Sequence, residues 1–348
     1  MGHLIPVKTF WKSPSGLLCL FSICILFYVV LAYPLNNPLC WDVFGYYLYL
    51  PQTFIHNDPG IYDASAVHDI MKQYDLPGTF YQAHLTEKGT HVIQYPMGMC
   101  ILYAPFFLIG HLCANLGGYP ADGFSIPYQY AFYAGYLFYL VLAILLARKI
   151  LLHFFSEKIT CITLLFLFFG TNFYSISTAS VGMPHLYLFV LFALLILLTI
   201  RWHATHQKKD ALFIGLILGL MVICRPTEIL AAIIPLLYGV KRINEIPSRI
   251  KELITTYRTH MLLTVLFVFL VVLPQLIYWK LYTGQFIYNS YRNPNEGFDF
   301  LSPHTWNFLF SFRKGWFIYT PVMFFACIGF IFLLKRKNEM GLAGLIFI

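Results

Sequence analysis

Asp42 stands in Cys40-Trp41-Asp42-Val43-Phe44-Gly45-Tyr46-Tyr47, a few residues after the first long apolar run. A charge kept at an apolar boundary costs free energy, so it usually has a task. A carboxylate there can take the proton of an acceptor hydroxyl as the hydroxyl oxygen attacks an electrophilic carbon. The competing reading is an aspartate that caps a helix or holds an ion pair. The aromatic residues that follow, through Tyr49-Leu50-Pro51, suit a segment lying on a membrane surface and favour the chemical role.

The complementary charge comes from arginines. Arg225 lies between two apolar runs, followed directly by Pro226. An arginine in apolar surroundings is costly unless paired, and a lipid phosphate would pair it through bidentate hydrogen bonds. An ion pair with Glu228, three residues on, is the structural alternative, and the two readings are compatible. Arg292, Arg313 and Lys314 fall in the last hydrophilic loop, and Arg313-Lys314-Gly315-Trp316 precedes an apolar run. They are candidate anion ligands, with snorkelling to lipid headgroups as the alternative.

Further polar candidates share the same membrane depth. His185 follows Met183-Pro184 at the start of an apolar run, where it could bind a phosphate, hold a substrate or orient Asp42. A histidine bonded to backbone or water is the plain alternative. Asn172, in Gly170-Thr171-Asn172, would shape the same cavity, and His91 and Tyr95 flank a turn leading into Pro96-Met97-Gly98. His56, His68 and His91 sit near Asp58, Asp63 and Asp69, but no HxH or HExxH spacing occurs, so no metal ligand is assigned. A divalent metal is therefore not part of the expected site. No P-loop, GxSxG or dinucleotide fingerprint is present.

Composition says what must position these residues. The 348-residue chain is 59% hydrophobic and 11% charged, against roughly 25% charged for a soluble domain. This is the composition of a polytopic membrane protein. The net charge of +8 does not indicate nucleic acid, because the basic residues are scattered at the ends of apolar runs and form no stripe. The eight cysteines include no CxxC and read as small hydrophobes; a Cys40 disulfide with Cys100 or Cys113 is not expected. The N-terminus resembles a signal peptide but lacks a small-x-small cleavage pattern, so it reads as a retained first helix.

Apolar runs near 16–33, 128–147, 159–176, 184–200, 211–224, 227–240, 261–280 and 316–334 are candidate spans. A run from Met340 reaches Ile348 and is too short to cross; either it packs at the membrane surface or the chain is a fragment. Residues 97–116 are apolar enough to span, but Pro96, Gly98 and Pro105 argue for a surface element. With that choice, 16 of the 23 basic residues and five of the 15 acids fall on the N-terminal side of the membrane, +11 against −3. That asymmetry places the N-terminus in the cytoplasm and Asp42 outside it. Lys208-Lys209 and Lys241-Arg242 bracket a hairpin whose tip is Arg225-Pro226. Residues 243–260 read as an amphipathic helix on the inner surface.

The expected architecture is all-α, a single polytopic membrane domain with about eight to nine transmembrane helices. It divides into a first helix at 16–33, an outer loop at 34–127 with surface helices, and a bundle at 128–348. This layout resembles the GT-C superfamily of integral-membrane glycosyltransferases, such as the protein O-mannosyltransferases and the bacterial aminoarabinose transferases. The resemblance rests on the inner N-terminus, the single helix, the long outer loop opening with Asp42, and the many helices after it. It implies a polyprenyl-phosphate sugar donor, a lipid, glycan or protein acceptor, inversion at the anomeric carbon, and phosphate-binding arginines outside. Asp42 matches the family acid by position, and Arg225 and Arg313 match more loosely. Many members carry a paired acid where Asp42 is flanked by Trp41 and Val43. The family's C-terminal helices or soluble domain do not follow. No cofactor is implied, and membrane lipids are the expected surroundings. Two rival readings remain: an oligosaccharide-lipid polymerase or ligase, which needs no early outer carboxylate, and a transporter or flippase, which needs polar residues along a midplane path.

Overall fold

The structure, a computed structural model, describes residues 10–34, 37–291, 304–313 and 315–347. It is helical throughout, apart from one short antiparallel hairpin in which β1 (Ala83–Leu85) pairs with β2 (His91–Ile93). α1 runs from Pro14 to Ala32, started by Ser13, whose Oγ accepts from the Gly16 amide, and by Pro14 at the first position. The outer loop then folds into α2 (Trp41–Phe54), α3 (Ala64–Gln73), the hairpin and α4 (Gly98–Gly117).

The bundle follows with α5 (Ile126–Phe154), α6 (Glu157–Gly170), α7 (Phe173–Ala179), α8 (Pro184–Thr205) and α9 (Lys208–Cys224). A 3-10 turn (Pro226–Ala232) leads into α10 (Ile233–Leu237). After it come α11 (Ile246–Thr255), α12 (Arg258–Thr283), α13 (Thr305–Phe310), α14 (Trp316–Tyr319), α15 (Val322–Lys335) and α16 (Gly341–Phe347). The eight cysteines are free.

Five of the described helices are long and apolar enough to cross a membrane: α1, α4, α5, α8 and α12. The pair α6 and α7, bent by 51°, makes a sixth if it is one broken span. The bend has a local cause. The Thr171 hydroxyl donates to the Leu167 carbonyl at 2.6 Å and accepts from the Phe173 amide at 3.1 Å, closing one helix and opening the next. The chain is therefore an all-α multi-pass membrane protein. Residues 97–116, expected as a surface element, form α4, a continuous 20-residue helix that carries Pro105 inside it and begins and ends on the Asp42 side of the bundle. It packs antiparallel on α5, with Gly110 against Tyr128 and the Tyr139 hydroxyl reaching the Leu102 carbonyl.

Polar contacts mark one end of the bundle. Arg148, near the end of α5, donates to the hydroxyls of Ser15 at 2.6 Å and Ser13 at 3.0 Å, and pairs with Glu157 at 3.6 Å. Glu157 in turn accepts from the Ser15 amide at 2.8 Å. The start of α1, the end of α5 and the start of α6 thus meet at one point. α5 and α8 run in the same direction, because Phe132 lies against Gly182, just before α8, and Tyr139, further along α5, lies against Tyr187. Arg148 and Arg201 lie on the same side of the Tyr139–Tyr187 contact, about 14 Å and about 21 Å further along at 1.5 Å per residue. Arg201 pairs with the buried Asp210 at the start of α9, and Trp202 donates to His260 at the start of α12. Arg225 at the top of α9 and Gln275 in α12 are therefore both roughly 22 Å from this basic end. The return arm brings Pro235 back to it, where His203 meets the Pro235 carbonyl at 3.1 Å.

Candidate functional site

Asp42 lies in the first turn of α2 at the end opposite Arg148 and Arg201. Its Oδ1 accepts hydrogen bonds from the Tyr81 hydroxyl at 2.6 Å and the Tyr95 hydroxyl at 2.7 Å. Oδ2 has no partner among the described residues. Burial and the Asp42 carboxylate together hold both phenols above their ordinary range, so each stays a proton donor. The acid is thus fixed through one oxygen and open through the other. Neither a helix cap nor an ion pair, the competing roles, is made by its side chain among the described residues.

Two contacts tie this acid to the arginine turn. Gly98 presses against the α9 end so closely that a Cβ there would lie 2.4 Å from the Cys224 amide nitrogen. Tyr95, which holds Asp42, is three residues before Gly98. Tyr46, one helical turn after Asp42, packs against Tyr95 with ring centroids 4.3 Å apart and the rings tilted by 32°. Burial and the neighbouring Tyr291 raise the Tyr46 phenol, Arg225 draws it down, and Asp42 pushes it up again. Tyr46 therefore stands within electrostatic reach of both the acid and the arginine.

Arg225 takes an extended backbone at the junction of α9 and the 3-10 turn, and Pro226 starts the next segment. Arg225 as a whole is partly buried. Among the described residues the ion pairs are Arg148–Glu157, Arg201–Asp210 and Arg249–Glu252, and Arg225 is in none. Glu228 and His185 both feel its charge without bonding it. The structural ion pair of Arg225 with Glu228 is thus not formed. A partly buried cation of this kind is ready for an anion from outside the chain.

His185 and Asn172 share a cavity of about 200 Å³, walled by Thr171, Phe173, Ile176 and Phe189 and closed by Trp316, Thr320 and Met323. The α6–α7 bend provides Asn172, and the Pro184 start of α8 provides His185. The cavity is mostly apolar with a few polar groups, the usual character of a small-ligand site.

Other expected site residues lie elsewhere. His91 sits in β2 and turns its Nδ1 to the Ile61 carbonyl at 3.0 Å, pinning the 58–61 turn; no contact joins it to Asp42 among the described residues. Arg313 is exposed, three residues before the cavity-lining Trp316, and has no contact with Asp42 or Arg225 among the described residues. Arg292 and Lys314 lie outside the described residues. Among the described residues no three His, Cys, Asp or Glu side chains converge as a metal site. The carboxylates of Asp58 and Asp63 instead accept from nearby backbone amides.

Sequence reading missed Tyr81, Tyr46 and Gln82. Tyr46 carried a signal, since it is four residues from Asp42 on a helix. Tyr81 and Gln82 carried none, because only the fold of the 34–127 loop brings them to α2. Comparison of the chain with protein-family models, with curated proteins and with solved structures finds no match.

Proposed function

We propose that this chain is a GT-C-like membrane glycosyltransferase that moves a sugar from a polyprenyl-phosphate donor to a hydroxyl acceptor outside the cytoplasm. The observation that carries the reading is an arginine without an ion-pair partner and an aspartate with a free carboxylate oxygen among the described residues, both within electrostatic reach of Tyr46 at one end of the bundle. The excess of basic residues at the other end supports a cytoplasmic N-terminus and an outward-facing site. Counting α9, the 226–237 arm and α15 with the candidate spans other than α4, which begins and ends on the Asp42 side, gives about eight crossings, a number such a bundle could use.

In this reading the acceptor hydroxyl meets Asp42 Oδ2. Its oxygen attacks the anomeric carbon as the carboxylate takes its proton. The bond from that carbon to the phosphate oxygen breaks, and polyprenyl phosphate leaves with the bonding electrons. Arg225 neutralises the departing phosphate, which is the larger share of the catalysis. His185 and Asn172 border the donor from the adjoining cavity. The acceptor is a lipid, a glycan or a protein.

The test is incubation of the purified, lipid-reconstituted chain with a panel of radiolabelled polyprenyl-phosphate sugars and a mixed acceptor fraction. Label should move to acceptor with the wild type, and Asp42→Asn should reduce the rate by about 10²–10⁴-fold. Full activity in Asp42→Asn would point to a polymerase or ligase. Movement of intact donor across the bilayer without transfer would point to a flippase.

A further inference from the structure

Trp41, the residue before the proposed base, has a left-handed backbone with φ +52°. Bulky residues rarely adopt that conformation, and it persists only where the surroundings over-determine it. Here it stands at the first position of α2, so it sets the direction in which the first turn leaves.

The surroundings can be named. The Gln82 Nε2 donates to the Trp41 carbonyl at 2.9 Å. Gln82 is 1% exposed, and its Oε1 has no hydrogen-bond partner among the described residues. A buried amide kept at that cost is held for the bond it does make. Its own backbone is anchored, because the Gln82 carbonyl accepts from the Gln94 amide at 2.9 Å and so extends the pairing of β1 with β2. Gly45 lets α2 lie against it: a Cβ at Gly45 would come within 2.8 Å of the Gln82 Cβ and 2.6 Å of the Tyr95 ring. On the other side, the Trp41 ring rests near Gly78, itself at φ +90°.

We infer that Gln82 is a positioning residue: it holds Trp41 in the left-handed conformation and thereby aims the Asp42 carboxylate. The inference rests on the proposed role of Asp42. Relaxation of Trp41 to negative φ would swing the first turn of α2 and draw Asp42 away from Tyr81 and Tyr95. A glutamine that merely fastens the hairpin to α2 would stabilise the fold without regard to the backbone at position 41.

The two roles separate by rescue. Gln82→Met removes the donor at similar volume, and in the purified full chain it should lower kcat about tenfold while the donor KM stays within about twofold. Trp41→Ala and Trp41→Gly both remove the ring, but glycine takes positive φ freely. Adding Gln82→Met should again cost about tenfold in the Trp41→Ala background and less than about threefold in the Trp41→Gly background. Trp41→Asn, which also tolerates positive φ, replaces the glycine variant if that one does not fold. Equal losses in both backgrounds overturn the inference.

Melting temperature gives a readout that needs no turnover. With Gln82 in place, Trp41→Gly should melt above Trp41→Ala, the reverse of the usual order in a helix. With Gln82→Met that advantage should vanish. If the wild type transfers no sugar, the proposed function falls and melting alone judges the clamp. Trp41→Ala melting above Trp41→Gly with Gln82 in place would then reject it.

Discussion

Gly98 and Cys224 touch backbone to backbone, with room for no side chain between them. This contact carries the position of Tyr95, and through it Asp42, onto the turn that bears Arg225. Gly98→Ala forces a Cβ to within 2.4 Å of a main-chain nitrogen, which cannot move as the tip of a flexible side chain could. We expect the variant to lose about 1–3 kcal/mol of stability, the usual cost of overpacking. It should also lose transfer activity by more than its folded fraction accounts for. Parallel measurement of melting in detergent and of turnover checks this, and a drop in melting with no loss of specific activity would break the link between the two sites.

Tyr95→Phe keeps the ring packed on Tyr46 and removes one hydrogen bond to the Asp42 carboxylate. A bond to a charged group contributes about 1.5–3 kcal/mol, so kcat should fall roughly ten- to a hundredfold if the bond orients the base. Tyr81→Phe should cost less, because Tyr81 is 40% exposed and water can replace its hydroxyl. Steady-state kinetics of the two variants side by side decides it; equal, negligible effects would remove the tyrosines from the site.

Arg225 has no protein partner among the described residues, so its removal should barely unfold the chain. Arg225→Gln should leave the melting temperature close to wild type while lowering kcat/KM by about 10²–10³-fold, the scale of losing one preorganised charge donor. Glu228→Gln should move neither quantity far, since no ion pair joins it to Arg225. A large drop in melting for Arg225→Gln would show that the guanidinium has a structural role.

At the basic end the expectation is reversed. Arg148 is buried, donates to two serine hydroxyls and faces Glu157, joining α1, α5 and α6. Arg148→Ala should destabilise the bundle by roughly 3–5 kcal/mol, because it strips a mostly buried network of its cation. Turnover per folded molecule should stay unchanged. Unfolding in detergent and activity normalised to folded protein test both halves.

The parts of this account that were legible in the sequence were those written in charge and local spacing. Lys208-Lys209 and Lys241-Arg242 bracket the arms whose turn is Arg225-Pro226, and the structure turns there. Asp42 stood out as a carboxylate just past an apolar run. Tyr95 stood out as a site candidate, but its bond to Asp42 was not legible and Tyr81 not at all, because both arrive through the folding of a 94-residue loop and no periodicity links them to α2. His91 was attractive by residue type and position, yet its strand pairing turns it to the Ile61 carbonyl. Residues 97–116 were read from prolines and glycines as a surface element. The structure makes this segment a continuous helix that carries Pro105 inside it, with Gly98 and Gly110 at close packing contacts.

The most direct measurement separates the two charges. Equilibrium binding of a sugar-free polyprenyl phosphate to the purified chain should be compared among wild type, Asp42→Asn and Arg225→Gln. The account predicts that Asp42→Asn binds within about threefold of wild type and that Arg225→Gln binds at least about tenfold more weakly, since only the arginine meets the phosphate. Wild-type affinity in Arg225→Gln, or an equal loss in Asp42→Asn, would contradict it.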